Sequence, residues 1–153
     1  MARTGRWLIG SVALAGAMFF AVQPGLAGED LRQCSQETLR GQYMSAGAGT
    51  LFPPAFGVTD RATVTVAGYS LFNGDGTGAD HFTFRVNGMD VNAPPVAATT
   101  YTLNPDCTGT LTVLPDGPHF NIYVAFDGSE LTEISTDPGY AISGSERRVG
   151  RSR

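Results

Sequence analysis

From residue 42 onwards, the chain is a succession of short segments in which apolar and polar side chains alternate, and compact turns separate them. Alternation with a period of two, rich in β-branched and aromatic residues, is typical of β-strands that bury one face. None of the connectors carries a helical pattern, so successive strands are predicted to pair antiparallel. Eight segments show the alternation: 42–52, 61–72, 80–88, 99–104, 108–114, 119–126, 130–136 and 140–148.

The connectors are themselves turn sequences, such as "NGDG", "NPDCTG", "PDGP", "DGSE" and "DPG", whose residues supply the backbone angles of tight turns. An open sheet of eight strands would expose two edges, and closure into a barrel removes them. We therefore predict an all-β, eight-stranded antiparallel up-and-down barrel, with a β-sandwich as the alternative. One short helical turn is predicted in "CSQETLRG", with Ser35 as its cap.

The N-terminus is typical of a secretory signal. Two arginines precede an apolar run over 7–22, and small residues follow up to Ala27. The run is shorter than the roughly 20 residues that span a bilayer, so no membrane anchor is expected after cleavage. The predicted product is periplasmic or secreted. The predicted division of the chain is a signal at 1–27, one barrel domain at 28–148 and a flexible tail at 149–153.

The charge balance is acidic. The chain carries 10 basic and 14 acidic side chains, and loss of the signal would remove Arg3 and Arg6. An acidic surface argues against nucleic acids and anionic membranes as partners.

The chain has two cysteines, Cys34 and Cys107. In an exported protein, an even pair is predicted to form a disulfide. The alternatives, a redox pair or metal ligands, have little support because there is no CxxC motif and neither cysteine has a neighbouring histidine. No metal and no organic cofactor is predicted.

The apolar phase of the strands predicts which side chains face inward. An eight-stranded barrel either fills its lumen with side chains or holds one small ligand, and the sequence leaves both outcomes open. The residues predicted to line the lumen and contact a ligand are Phe82, Phe84, Tyr101, Phe120, Ile122, Phe126 and Tyr140.

Catalytic residues cannot be assigned from motifs. There is no GxSxG nucleophile elbow, and His81 and His119 fall on the polar, outward phase. The alternation in segment 130–136 does not decide whether Glu133 faces inward or outward. Pointing inward, it would have a raised pKa and could act as an acid or base. The favoured interpretation is that Ile134 faces the core after a bulge and Glu133 is solvated.

The stretch "FNGDGTGAD" (72–80) places side-chain oxygens at alternate positions, as a calcium loop does. An EF-hand loop counted from Asn73 would need a glutamate at its twelfth position, where Phe84 stands. The stretch is therefore predicted to be a hairpin turn between two barrel strands.

The run "TTYTLNPDCTGTLTV" (99–113), with "TLRGQY" (38–43), "FNGDGTG" (72–78) and "ISTDPGYAISGSERR" (134–148), resembles a pattern of small exported bacterial proteins. The resemblance covers nearly the whole chain after the signal. It implies a calycin-like or allene-oxide-cyclase-like β-barrel with one disulfide, and it implies no particular activity.

The predicted function is binding of an apolar small molecule in the barrel lumen. Two alternatives stay open. One is an allene-oxide-cyclase-like cyclase or isomerase that acts on a lipophilic substrate. The other is an envelope structural or interaction module without a ligand. The sequence does not predict the oligomeric state.

Overall fold

The computed structural model describes residues 33–91 and 96–150. The predicted signal at 1–27 lies outside the described residues, as do residues 151–153 of the predicted tail. No helix among the described residues has the length and apolarity needed to cross a membrane.

Two 3-10 turns, Gln36–Leu39 and Ala55–Gly57, accompany nine strands: β1 Gly41–Leu51, β2 Ala62–Phe72, β3 Thr77–Val86, β4 Met89–Asp90, β5 Ala97–Leu103, β6 Thr108–Val113, β7 His119–Val124, β8 Glu130–Ser135 and β9 Tyr140–Gly150.

Eight of these strands form a closed barrel. Each barrel strand pairs antiparallel with the next along the chain, and β9 pairs with β1 to close the sheet. The short β4 pairs with the end of β3 and lies outside the barrel. The predicted eight-stranded antiparallel barrel is confirmed, and the sandwich alternative is wrong. Strand β9 runs through Gly150, two residues into the segment predicted as a tail.

One half of the lumen is packed with side chains. The rings of Tyr43 and Phe72 meet edge to face at 5.3 Å between centroids, and Phe72 meets Tyr101 in the same way at 5.2 Å. The N-terminal 3-10 turn lies over this end, where the Tyr101 hydroxyl donates to the Gln36 carbonyl at 3.0 Å and accepts from the Gly74 N–H at 3.0 Å. We call this half of the barrel the closed half.

The cysteine pair is part of the closed half. Cys34 and Cys107 are both buried and form the predicted disulfide. The Cys34 N–H also donates to the Pro105 carbonyl at 3.1 Å. The N-terminal arm is therefore fixed to the connection between β5 and β6, which confirms the pairing expected from the sequence.

The turn after β2 confirms the hairpin predicted for "FNGDGTGAD". The Asp75 carboxylate accepts from the Thr77 N–H at 3.0 Å and from its hydroxyl at 2.7 Å, and the Asn73 amide donates to the Thr77 hydroxyl at 2.9 Å. Asn104, Asp106 and Thr108 repeat the arrangement between β5 and β6. The side-chain oxygens that resembled calcium ligands are thus used within the turn.

The two Asn-x-Asp-x-Thr turns also share a left-handed residue at their fourth position. This residue is Gly76 in the first turn (φ 93°) and Cys107 in the second (φ 68°). Glycine adopts this conformation without steric cost, whereas a side chain makes it uncommon. Cys107 therefore holds its position in the turn while its sulfur reaches Cys34.

Tyr43 anchors the closed half, and its loss is expected to destabilise the barrel. The fully buried Tyr43 hydroxyl donates to the Gly128 carbonyl at 2.6 Å and accepts from Arg148 Nη2 at 2.7 Å. Tyr43→Phe would remove the donor to the Gly128 carbonyl and one acceptor of Arg148, which costs about 1–3 kcal/mol of unfolding free energy. Urea unfolding would measure the loss. Tyr123→Phe, at an exposed tyrosine of β7, is the matched control, and equal stability of the two variants would contradict the prediction.

Candidate functional site

The other half of the lumen contains a cavity of about 390 Å³. Ligand pockets in proteins typically measure about 300–1,000 Å³, so this cavity has room for a small molecule. Its walls are mainly apolar side chains from six barrel strands, among them Val66, Phe82, Phe84, Leu111, Phe120 and Ile142. The lumen is therefore neither fully packed nor fully hollow, and the cavity lies in what we call the open half.

Two of the described connecting segments line the mouth of the cavity. Phe56, in the second 3-10 turn, packs against Phe84 with 5.0 Å between ring centroids and stays substantially exposed. The segment 114–118, between β6 and β7, also lines the cavity and includes the exposed Leu114. The open half thus meets solvent between these two segments.

The predicted lumen-lining residues divide between the two halves. Tyr101 and Ile122 are buried in the core and do not border the cavity, and both hydrogen bonds of the Tyr101 hydroxyl belong to the closed half. Four of the seven residues do border the cavity: Phe82, Phe84, Phe120 and Tyr140.

The structure places Phe126 outside the lumen, which corrects the prediction for this residue. Strand β7 ends at Val124, and the chain then turns through 125–128. The period-two pattern does not continue through this turn, and 62% of the Phe126 surface is exposed.

Three carboxyl groups project into the lumen from three strands. Residues directly opposite one another in a β-ladder share a face of the sheet. Asp80 of β3 stands opposite Ser70, and Glu133 of β8 stands opposite Gly144. Glu146 of β9 is buried on the same inner face, two positions after Gly144. Asp80 and Glu133 line the cavity, and we call the three residues the carboxyl cluster.

The favoured sequence interpretation of Glu133 was wrong. Strand β8 pairs with β7 and β9 without a register shift, so the bulge invoked to turn Ile134 inward is absent among these described strands. Ile134 is 50% exposed, and Glu133 is partly buried in the lumen. Glu133 therefore faces the lumen and Ile134 faces solvent, which is the reverse of what their polarity predicts.

Glycines on the inner face make room for these side chains. A Cβ added at Gly144 would lie 2.6 Å from Glu133 Oε1, so a side chain there would displace the carboxyl group. A Cβ at Gly68 would overlap the His81 carbonyl and would lie 2.7 Å from the Phe82 ring. Gly144 therefore leaves the space that the Glu133 carboxyl group occupies, and Gly68 leaves space beside the Phe82 ring.

The carboxyl cluster is buried without full hydrogen bonding. Asp80 is 3% exposed and Glu146 is 2% exposed. Asp80 Oδ1 and Glu146 Oε2 have no hydrogen-bond partner, and neither does the buried hydroxyl of Thr99. No arginine or histidine is among the described residues that line the cavity.

Burial shifts the titration of all three groups upward. Burial raises the pKa of Asp80 to about 6, opposed in part by the nearby Ser70 hydroxyl. Burial, and then the charge of Asp80, raise the pKa of Glu133 to about 7. Burial, then the charges of Glu133 and Asp80, raise the pKa of Glu146 well above its ordinary value. The three groups therefore titrate as a coupled set, and they release their protons at higher pH than exposed carboxyl groups do.

The positions of Asp80 and Glu146 within their strands predict that both face inward, although their polar side chains suggest the opposite. Asp80 has the same strand phase as Phe82, and Glu146 has the same phase as Ile142. Extending the inward phase by its period of two, regardless of polarity, places both carboxyls in the lumen.

The histidines lie away from the cavity, as predicted. The His81 ring stacks on Tyr69 at 4.4 Å between centroids, and His119 Nδ1 lies 3.0 Å from Asp137 Oδ1. Within residues 33–91 and 96–150, no group of three His, Cys, Asp or Glu side chains is arranged to hold a metal ion.

Among the described residues, the cavity and its carboxyl cluster are the features that bear on function. Comparison with protein-family models, with curated proteins and with solved structures found no match for this chain.

Proposed function

We propose that this protein binds one small apolar molecule in the open half of its barrel. The observation that carries the proposal is the cavity of about 390 Å³ with predominantly aromatic and aliphatic walls. Transfer of apolar surface from water to such walls is favourable in proportion to the area buried. The ligand would pass between Phe56 and the segment 114–118.

The protein would act in an oxidising compartment, either the periplasm or the extracellular space. Two observations support this location. The disulfide between Cys34 and Cys107 is of a kind that persists outside the cytosol. The sequence of residues 1–27 has the pattern of a secretory signal.

Filling the cavity is expected to block binding. Ala97 lines the cavity and its neighbour Ala98 is exposed on the outer face of β5. Ala97→Trp should weaken binding of the neutral fluorescent probe naphthylmethanol by about tenfold to a hundredfold, or 1.4 kcal/mol per factor of ten. Fluorescence titration would measure the change.

Ala98→Trp is the matched control for this experiment, because it adds the same indole to the opposite face of the same strand. Its affinity for naphthylmethanol should equal that of the original protein. Thermal unfolding of both variants would show that each retains the fold. The proposal fails if the original protein does not bind the probe, and an envelope module without a ligand is then the better description. Equal binding by the two variants would also contradict it.

A second candidate function is a cyclase or isomerase that holds a lipophilic substrate in the lumen. The observation that favours it is the placement of Asp80 and Glu133 at an apolar cavity. A carboxyl group with a pKa near 7, as burial gives Glu133, can donate and accept protons at neutral pH. Loss of turnover in Glu133→Gln, with probe binding retained, would distinguish this activity from simple binding.

A further inference from the structure

We propose that the ligand is an amphipathic amine, whose apolar body lies on the aromatic walls and whose protonated nitrogen lies against Asp80 and Glu133. This inference rests on the proposed function, because it requires that the cavity bind a small molecule. It adds the chemical class of the ligand and the end of the cavity at which its polar group is held.

The ionisable groups around the cavity are acidic. The described lining residues include the acidic Asp80 and Glu133, and Glu146 is buried in the same cluster. None of the described residues of the lining is basic. The guanidinium of Arg148 belongs to the closed half, where it donates to Tyr43, Thr38 and Asp127. The carboxyl cluster thus lacks a positively charged partner at the cavity, and a cationic ligand would supply one.

Buried oxygen atoms near the cavity have hydrogen-bonding capacity that the protein does not use. Asp80 Oδ1 has no partner although the side chain is 97% buried and borders the cavity. The Thr99 hydroxyl, two strand positions from Tyr101 on the inner face of β5, is also unpartnered. An ammonium group offers three donors and no acceptor, which matches a set of carboxylate and hydroxyl oxygens.

The position of the polar groups relative to the apolar walls would orient a ligand in the cavity. The polar groups lie deep in the lumen, between the packed closed half and the apolar walls, whereas the mouth is formed by Phe56 and the segment 114–118. A ligand that enters with its polar end first would bury its nitrogen at the cluster and leave its apolar part along the walls. Apolar cavities with a few convergent polar groups bind ligands in this oriented manner.

The proton balance of binding is simple. At neutral pH the amine is already protonated in solution, so it binds as an ammonium ion. Where a carboxyl of the cluster is protonated before binding, its O–H bond breaks and the proton is released to solvent. The products are a carboxylate paired with the ammonium ion and one proton in solution, and no oxidant or further reactant is needed. Alkyl amines hold a proton more tightly than these carboxyls, so the pair is ionised in the complex.

Three probes with one aromatic body test the inference: naphthylmethylamine, naphthylmethanol and naphthylacetate. Fluorescence or calorimetric titration of the purified protein at neutral pH should give an affinity for the amine about tenfold or more above that for the alcohol, since a paired charge contributes at least one factor of ten. The acetate should bind least, because its charge has the same sign as the cluster.

Two variants assign the preference to the cluster. Glu133→Gln and Asp80→Asn should each reduce the preference for the amine over the alcohol by about tenfold. Glu130→Gln is the matched control, because Glu130 is on the same strand with its side chain exposed. It should leave the preference unchanged. Two variants are used so that poor folding of one does not remove the test.

The outcomes separate this inference from the proposed function. If the alcohol binds as tightly as the amine, or more tightly, the amine inference is wrong while the proposed function stands. If a preference for the amine persists in both cluster variants, the inference is also wrong, because other groups cause the preference. If none of the probes binds, both proposals fail.

Discussion

Raising the pH from about 5 to about 8 is expected to lower the free energy of unfolding of this barrel by about 3 kcal/mol or more. Burial raises the pKa of Asp80 to about 6 and, with the charge of Asp80, that of Glu133 to about 7. In the unfolded chain both groups return to values near 4. Between these values the folded state holds protons that the unfolded state has released, so stability falls as pH rises.

The sign of this dependence is opposite to that of most carboxyl groups. The stabilisation is fully present below the unfolded pKa and is lost as pH rises through about 6 and 7. The pKa of Glu146 is also raised by burial, so this group contributes with the same sign. Hydrogen bonds lower the pKa of the exposed Asp75, and the same holds for Asp106. These two aspartates are ionised in both states above pH of about 5, so they do not affect the chosen window.

Asp80→Asn tests the origin of the effect. An amide is uncharged at every pH, so the variant should be more stable than the original protein at pH 8 and should show a shallower loss between pH 5 and 8. Urea unfolding followed by circular dichroism would measure both quantities. Asp60→Asn, at an exposed aspartate, is the control and should keep the original pH dependence. A stability that is constant or increasing over this range would refute the prediction.

Removal of the disulfide is expected to destabilise the barrel by about 4 kcal/mol. Cys34 and Cys107 are separated by 73 positions. In the chain-entropy model, breaking a disulfide across a loop of this length increases the conformational entropy of the unfolded state, which lowers its free energy by about 4 kcal/mol. Domains of this size have a total stability of about 5–15 kcal/mol, so the variant would retain only part of it.

The double variant Cys34→Ser, Cys107→Ser should be compared with the original protein in urea, with and without a thiol reductant. Reduction should lower the midpoint of the original protein and should not change that of the double variant. The N-terminal 3-10 turn, Gln36–Leu39, should become more accessible to hydrogen exchange in the variant, because the disulfide holds the preceding arm against β5 and β6. A loss below about 1 kcal/mol would show that the barrel, and not the link, determines the stability.

The fold could be predicted from the sequence because its determinants are local. Alternation along each strand and turn residues between strands define a succession of hairpins, and the two Asn-x-Asp-x-Thr turns complete their own hydrogen bonds. Phe126 was misplaced because the alternation was extended past Val124, where the strand ends. The two-residue strand Met89–Asp90 was missed because it has no length over which alternation can be read.

The candidate site could be predicted only in part, for a physical reason. Choosing the inward face by hydrophobicity assumes that carboxyl groups avoid burial, which is correct for most positions. Asp80 and Glu146 are buried although they carry carboxyl groups, and both stand at positions that the alternation of their strands directs inward. Whether the lumen is packed or hollow depends on the sum of side-chain volumes around the barrel. Glycines such as Gly68 and Gly144 reduce that sum, and their effect appears only once the register is known.

The packed closed half has a consequence for kinetics. Tyr43, Phe72 and Tyr101 fill the lumen behind the cavity, so any occupant has to arrive and depart at the same end of the barrel. Two molecules cannot pass one another there, and replacement of one by another has to be sequential. The rate of exchange then reaches a ceiling equal to the dissociation rate of the first occupant, however concentrated its competitor is.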